Sequence, residues 1–265
     1  MTSSDQPPLF TKARRNRTFA LGVAAGAALM LLRNFAIGAT ADNTQPPTQQ
    51  PSTTTTAVDP GATSGADPTA EATRYPEIDA DTARRIDGDP MSLGAADAPV
   101  VIVEYADYRC PFCSSFEQQS LPIIVEEYVD RGLVRVEFRD MPLFGQYSTD
   151  AAVAGRAAAS QGKFWEFMNV VAAHGVEQGG HPDMPREQLV AFAQQAGVPD
   201  VDQFTSDLDD PELLAAVDAD LLEGRQLGIT AVPAFLVGNV PISGAQPIDI
   251  FRSVLAQELA DAGIR

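Results

Sequence analysis

Cysteine and histidine are scarce in this chain of 265 residues, which has two of each. Cys110 and Cys113 stand only three positions apart, so they cannot close the large loops of a structural disulfide framework. A tetrahedral zinc site needs four ligands, and His174 and His181 lie far along the chain without ligand spacing. We therefore expect neither a metal nor another cofactor. The two cysteines are then either a redox pair or a pair of buried, inert side chains.

Basic residues are outnumbered by acidic ones. The chain has 18 Lys and Arg residues against 36 Asp and Glu residues, a net charge of −18 at pH 7. Such a surface repels nucleic acid and anionic lipid, which argues against a nucleic-acid-binding function. The hydrophobic content of 45% is sufficient for a sizeable core.

One long apolar run lies near the N-terminus. We predict a basic cytoplasmic segment over residues 1–18 and a transmembrane anchor or signal peptide over residues 19–39, because basic residues flank the cytoplasmic side of such runs. Residues 19–32 alone match a signal-peptide core, whereas continuation to Ala39 gives a membrane-spanning length that includes Arg33. We favour a retained anchor that holds the protein on the extracytoplasmic side of the bacterial membrane. Cleavage after Ala41, which gives a secreted or periplasmic protein, is the alternative.

The next segment, residues 40–88, is rich in Thr, Pro, Ser and Ala and has almost no large apolar side chains. It cannot bury enough surface to offset the entropy lost on ordering, so we predict a disordered linker. This composition does not form a folded dimerisation module, and we expect a monomer. Residues 89–265 are predicted to fold as one domain.

The hydrophobic pattern of this domain predicts an α/β fold with helices covering a mixed sheet. The predicted strands are Val100–Tyr105, Leu133–Phe138, Ala234–Val237 and a strand from Val240 to Ile242 that follows a Gly238-Asn239 hairpin turn. A first helix is predicted over Cys110–Asp130, with a kink at Pro122. An Ala-rich helical region is predicted over Ser148–Leu227, with breaks at residues 179–182 and 197–199. A final helix begins at Pro247, and its apolar face includes Phe251, Val254, Leu255 and Leu259.

The sequence Cys110-Pro-Phe-Cys113 comes directly after a predicted strand. Proline favours the first helical position, which places Cys110 at the N-cap and Cys113 in the first turn. The positive end of the helix stabilises a thiolate at Cys110 and lowers its pKa below the usual value of about 8.5. We expect Arg109 to lower this pKa further. Cys110 is predicted to be the more exposed sulfur that exchanges with substrate, and Cys113 completes the exchange.

Residues 104–113 resemble the active-site segment of the DsbA-like thiol–disulfide oxidoreductases of the thioredoxin superfamily. Residues 138–143, 160–165 and 228–235 resemble further segments of that family in the same order. The resemblance covers about residues 90–262. It implies a thioredoxin fold with a helical insertion over about residues 146–228, and a redox disulfide between Cys110 and Cys113.

The same resemblance implies roles for other residues. Pro233 matches the cis-proline that faces the thiol pair, and the backbone of Val232 would pair with an extended substrate segment. Glu104 matches the buried acid of the superfamily, whose pKa is raised by burial and which exchanges a proton with Cys113. A strand-end glutamate that reaches solvent is the alternative interpretation of Glu104. Phe112, Tyr108 and Phe144 are predicted to form an apolar rim for unfolded substrate.

These features predict an extracytoplasmic oxidase that introduces disulfides into reduced, exported proteins. The chain has no third cysteine, so a second protein must reset the pair, and the resemblance implies a quinone-linked membrane oxidase of the DsbB or VKOR type. A reductase or isomerase on the same fold is one alternative. A tethered peptide-binding holdase with incidental thiols is another.

Overall fold

The computed structural model describes residues 81–264. The predicted cytoplasmic segment, the anchor or signal peptide over residues 19–39 and the predicted linker as far as residue 80 lie outside the described residues. Between residues 81 and 264, no helix has both the length and the apolar character that crossing a bilayer requires.

A five-stranded sheet lies at the centre of the described part. Its strands are β1 (Ser92–Leu93), β2 (Val100–Ala106), β3 (Val134–Asp140), β4 (Ala234–Val237) and β5 (Val240–Ser243). The strand order is β1-β3-β2-β4-β5, with β2 and β3 parallel and the other neighbouring pairs antiparallel. All seven residues of β2 are buried. A strand covered on both faces has no solvent side, which explains the almost continuous apolar sequence of β2.

The helices of the described part lie between β2 and β3, between β3 and β4, and after β5. Their bounds are α1 (Pro111–Gln119), α2 (Leu121–Ile124), α3 (Gln146–Ser160), α4 (Phe164–Gln178), α5 (Arg186–Gln195), α6 (Val201–Asp207), α7 (Pro211–Gln226) and α8 (Ile248–Asp261). Helices α3 to α7 lie between β3 and β4 in the chain. The element order is therefore the β-α-β unit, helical insertion and β-β-α unit that the resemblance implies.

The helix predicted over residues 110–130 is divided in the structure. Helix α1 ends at Gln119, α2 follows from Leu121, and Val125–Val129 forms a π-helical turn in which the Asp130 N–H donates to the Val125 carbonyl. The break precedes Pro122, which has no N–H to donate and whose ring restricts the preceding backbone. The predicted disruption at Pro122 is therefore confirmed, and the π turn was not predicted.

The helical insertion has the two breaks that the sequence predicts and two more. The additional breaks lie at residues 161–163 and 208–210. Gly162 adopts a positive φ of 68° after α3, and the Asp210 carboxylate caps α7 by accepting the Glu212 N–H at 2.7 Å. Such breaks are hard to predict in an alanine-rich sequence, because each is set by a single turn or capping residue that changes the hydrophobic pattern little.

The last two predicted elements are confirmed. Gly238 has a φ of 56° between β4 and β5, a left-handed conformation that glycine adopts without strain. Helix α8 buries Phe251, Val254, Leu255 and Leu259, the four apolar positions that the sequence predicts.

The linker boundary predicted at residue 88 is wrong for residues 81–88. Both carboxylate oxygens of Glu137 on β3 accept backbone N–H groups of this segment, from Arg84 at 2.9 Å and from Arg85 at 2.8 Å. Arg135 and Arg139 also donate to Glu137, at 2.8 and 2.7 Å. Although burial opposes ionisation, these donors lower the pKa of Glu137 to about 2. A buried charge on the sheet therefore fixes an N-terminal arm, which we define as residues 81–88.

Candidate active site

The end of β2 and the start of α1 position the two cysteines. Cys110 is the N-cap of α1, with extended backbone (φ −74°, ψ 121°), and Pro111 occupies the first helical position, as predicted. The Cys110 N–H donates to the Asp107 carbonyl, and the Ser114 N–H donates to the Cys110 carbonyl, both at 3.0 Å. Both sulfurs are free thiols. This geometry places two exchangeable sulfurs in the first turn of one helix.

The two thiols differ in pKa. The Cys113 thiol and the backbone N–H groups of Cys113 and Phe112 stabilise the Cys110 thiolate, and although burial opposes this effect, the pKa of Cys110 falls to about 7. Burial, followed by the neighbouring Cys110 sulfur, raises the pKa of Cys113 well above its usual value. Near neutral pH the pair therefore holds a Cys110 thiolate beside a Cys113 thiol.

Both cysteine residues have little exposed surface, and the Cys113 sulfur lies deeper than the Cys110 sulfur. Cys110 is 2% exposed and Cys113 is 3% exposed. The Cys110 Sγ lies 3.5 Å from the carbonyl oxygen of Val232, so the segment before Pro233 covers it. Hydrogen bonds lower the pKa of Cys110, whereas burial is the main cause of the raised pKa of Cys113.

Arg109 does not act on the Cys110 thiolate as expected. Its guanidinium donates to three backbone carbonyls, those of Phe144, His181 and Pro182, and pairs with Asp183 at 3.0 Å. These acceptors belong to the β3–α3 loop and to the loop between α4 and α5. Arg109 therefore ties the residue before Cys110 to the helical insertion.

A buried carboxyl group lies close to the thiol pair, as the prediction for Glu104 requires. Glu104 is completely buried on β2, so the alternative of a solvent-exposed glutamate is wrong. No N–H or hydroxyl group among the described residues donates to either of its carboxyl oxygens. Burial raises its pKa well above the usual value, and the carboxyl group of Glu117 adds to this effect.

Glu117 was missed by sequence reasoning. It is 4% exposed, lies one helical turn after Cys113 on α1 and is within hydrogen-bonding reach of Glu104. Burial raises its pKa as well. Two adjacent buried carboxyl groups hold a shared proton, because the repulsion between two carboxylates is large in an apolar setting. The available signal was the spacing of four residues from Cys113, which places Glu117 on the buried face of α1.

A small cavity adjoins this carboxyl pair. It has about 10 Å³ of space for the centre of a water molecule, and Cys113, Glu117 and Tyr108 are among the residues that line it. A volume of this size corresponds to about one water molecule. In residues 81–264, no group of three or more His, Cys, Asp or Glu side chains is arranged to hold a metal ion.

The Val232–Pro233 peptide bond is cis, which confirms the geometry that the resemblance implies. A groove of about 290 Å³ lies along this segment and is lined by residues 227–236 and 241–244. The structure thus brings Cys110, Val232 and Pro233 together, and places an open apolar groove beside them.

The predicted apolar rim is divided between surface and core. Phe112 is 65% exposed beside the thiols. Phe144 is partly buried and stacks on His181, with ring centroids 3.8 Å apart. Tyr108 does not belong to the rim, because it is 3% exposed and its hydroxyl lies against Gly155 of α3. Proximity in sequence to the Cys110–Cys113 motif therefore did not indicate where the Tyr108 side chain lies.

The family model described as Thioredoxin matches residues 87–257. The probable disulfide bond formation protein D of Bacillus cereus is 32% identical over 175 residues, which cover 64% of this chain and 78% of that protein. Its name attributes disulfide bond formation to that protein.

Solved structures show the same similarity. α-DsbA1 of Wolbachia pipientis is 25% identical, with a TM-score of 0.58, over 67% of this chain and 94% of that one. Oxidised BdbD of Bacillus subtilis has a TM-score of 0.58 at 24% identity, over 64% of this chain and 92% of that one, and indicates a common fold.

Proposed function

The chain belongs to the thioredoxin family and is a DsbA-like thiol–disulfide oxidoreductase, and from this premise we propose that it is an oxidase that introduces disulfides into exported proteins through Cys110 and Cys113. One observation carries the proposal: the pKa of Cys110 is lowered to about 7 while that of Cys113 is raised. A stabilised thiolate favours the reduced form of the pair. The disulfide form is then a better oxidant than that of an unperturbed cysteine pair, and the oxidase direction is proposed from the similarity to the probable disulfide bond formation protein D.

The proposed reaction has two exchange steps. A substrate thiolate attacks the Cys110 sulfur of the oxidised pair, the S–S bond breaks, and Cys113 leaves with the bonding electrons. A second substrate thiolate then attacks the substrate sulfur of the mixed disulfide, which forms the substrate disulfide and releases the Cys110 thiolate. Two electrons pass from the substrate to the cysteine pair. Cys113 takes up a proton, for which we propose the Glu104–Glu117 pair as the donor.

We place the substrate in the groove beside Pro233. The backbone of Val232, whose carbonyl lies 3.5 Å from the Cys110 sulfur, is positioned to pair with an extended peptide. We propose that Phe112 and Phe144 provide apolar contacts to this peptide. This arrangement suits reduced, unfolded chains, because extended backbone and exposed apolar side chains are what such chains offer.

The proposed cellular setting follows from the N-terminal sequence. The basic and apolar segments over residues 1–39 would anchor a monomer on the extracytoplasmic side of the membrane, with secretion after cleavage as the alternative. The pair must be reoxidised for a further cycle. We assign this step to a quinone-linked membrane oxidase of the DsbB or VKOR type, since no other cysteine of the chain can accept the electrons.

The reduction potential of the pair tests the direction of electron flow. Equilibration with glutathione and measurement of free thiol should give a value near −120 to −180 mV, whereas about −270 mV or lower indicates a reductase. Cys113→Ala should trap mixed disulfides with envelope proteins through Cys110. Cys110→Ser should form none and should abolish disulfide formation in a reduced substrate protein. A wild type that forms no disulfides, with a Cys110→Ser variant that binds reduced substrate equally well, would instead indicate a holdase with incidental thiols.

A further inference from the structure

The proposed cycle requires Cys113 to gain a proton when it leaves as a thiolate and to lose it when the pair is reoxidised. Cys113 is only 3% exposed, and the carboxyl groups of Glu104 and Glu117 beside it are buried too. These carboxyl groups can supply one proton to Cys113. They must then recover it from solvent before the next cycle, so a connection between the carboxyl pair and solvent is needed.

The first part of such a connection is the small cavity at the thiol pair. Cys113 and Glu117 reach it from α1, and Tyr108 reaches it from the loop between β2 and α1. Glu117 acts on Tyr108 electrostatically, which agrees with this placement. Tyr108 is therefore one of the polar residues, with Asp107 and Ser114, that line the same cavity as Glu117.

The second part is formed by two unpartnered polar atoms. The hydroxyl oxygen of Tyr108 and Oδ1 of Asp140 are both buried, and neither has a hydrogen-bond partner in the described part of the chain. The two side chains lie close enough to interact, and Asp140 contributes to the raised pKa of Tyr108. Gly155 leaves the space that the hydroxyl occupies, because a Cβ at this position would collide with it.

The third part leads from Asp140 to the surface. Asp140 Oδ2 pairs with Arg156 Nε at 2.6 Å, and Arg156 also pairs with Asp220. Arg156 and Asp220 line a surface cavity of about 320 Å³, to which Arg84 of the N-terminal arm contributes. Polar groups thus continue from the thiol pair to solvent, on the side of the molecule where the arm lies on β3.

We propose that Tyr108 and Asp140 form the proton route between the Glu104–Glu117 carboxyl pair at Cys113 and the surface cavity at Arg156. This inference rests on the proposed function, because only a turning-over cysteine pair needs the route. When Cys113 leaves, it takes a proton from the carboxyl pair. Through water in the small cavity, the Tyr108 hydroxyl gives its proton to the pair, and it receives one from Asp140, which recovers a proton from the surface cavity that Arg156 and Asp220 line. Reoxidation runs the same transfers in reverse.

The charged surroundings of Asp140 suit this task. Arg156 of α3 and Asp220 of α7 face its carboxylate, and Tyr108 faces it from the β2–α1 loop. Burial is the largest influence and raises the pKa of Asp140 to about 7, which Arg156 opposes and Asp220 supports. A group with such a pKa exchanges protons readily in both directions near neutral pH.

Tyr108→Phe in the full-length protein tests the route. The substitution keeps the ring and its contact with Phe138, at 5.6 Å between centroids, and removes a hydroxyl that has no partner. Stopped-flow reduction of the oxidised protein by a dithiol peptide, from pH 5 to 8 in H₂O and D₂O, should be slower by about 10-fold or more. The solvent isotope effect should change, while the reduction potential stays the same because a route alters rates and not equilibria.

Asp140→Asn should reproduce the slower rate and lose the contribution of the protonated carboxyl group, which in the wild type falls as the pH rises through about 7. Tyr128→Phe, in the π turn away from the route, is the matched control and should behave like the wild type. Unchanged rates and isotope effects in Tyr108→Phe would overturn the proton route. A change in reduction potential that accounts for the slower rate would overturn it as well. Neither outcome bears on the oxidase function, which the wild-type potential decides separately.

Discussion

Glu117 of α1 lies within hydrogen-bonding reach of Glu104 of β2, and together they place two buried carboxyl groups beside Cys113. Both oxygens of Glu104 and one oxygen of Glu117 have no partner among the described residues. A shared proton makes one carboxyl group a donor to the other, and this is the state in which the pair is least costly to bury. The site therefore stores a proton next to the sulfur that needs one.

The carboxyl pair should make stability fall as pH rises. Burial raises both pKa values above the unfolded value of 4.5. The contribution of the two carboxyl groups to the free energy of unfolding is therefore fully present below pH 4.5 and is lost as the pH rises through the folded-state pKa values. Urea unfolding of the oxidised protein, in which no thiol titrates, should show a decrease of a few kcal/mol from pH 5 to pH 8. Glu117→Gln should show a smaller decrease, and the exposed Glu177→Gln should match the wild type. An equal decrease in Glu117→Gln would contradict the shared proton.

The Cys110 thiolate should depend on Cys113 more than on any other residue. The Cys113 thiol is the largest of the influences that lower the pKa of Cys110 to about 7 from the usual 9.0. In Cys113→Ala the midpoint for iodoacetamide alkylation of Cys110 should therefore move upward, by about one unit if half of the shift is lost. A midpoint that stays near 7 would show that the helix N-terminus lowers the pKa of Cys110 without help from the Cys113 thiol.

Arg109→Ala should lower stability without changing the Cys110 thiolate. The substitution leaves the carbonyls of Phe144, His181 and Pro182 without their donor, at a cost of about 2–4 kcal/mol in urea unfolding. The alkylation midpoint of Cys110 should stay near that of the wild type. Arg109→Lys is the matched control for charge and should also be destabilised, because one ammonium group cannot reproduce the planar fork. A large upward shift of the midpoint in Arg109→Ala would restore the direct role that its sequence position suggests.

The attachment of the arm to β3 should weaken in acid. The pKa of Glu137 is lowered to about 2 from 4.5. Its contribution to the free energy of unfolding is therefore present above pH 4.5 and is lost as the pH falls through about 2. A shift of this size corresponds to about 3 kcal/mol. Glu137→Gln should be less stable than the wild type at pH 7 and nearly equal to it near pH 2, as measured by urea unfolding. Limited proteolysis at pH 7 should cleave the arm of the variant faster. Equal stability at pH 7 would show that the arm is held by other contacts.

The sequence by itself determined the elements with strong local signals. Cys110 as the N-cap follows from Pro111 at the first helical position, and the apolar face of α8 follows from helical periodicity. Strand β2 follows from a nearly continuous apolar run, and β3 follows from alternation of apolar and polar residues. Resemblance over four segments supplied the cis bond at Pro233, which local sequence alone does not predict.

Only the tertiary structure decided which side chains meet. The direction of Arg109, the burial of Tyr108 and the contact of Glu117 with Glu104 depend on elements far apart in the chain, since α3, the α4–α5 loop and β2 supply the partners. The arm is fixed by Glu137, about 50 residues away in sequence. Local patterns report which positions are apolar or capped, whereas the partners of a buried polar group are set by packing across the sheet.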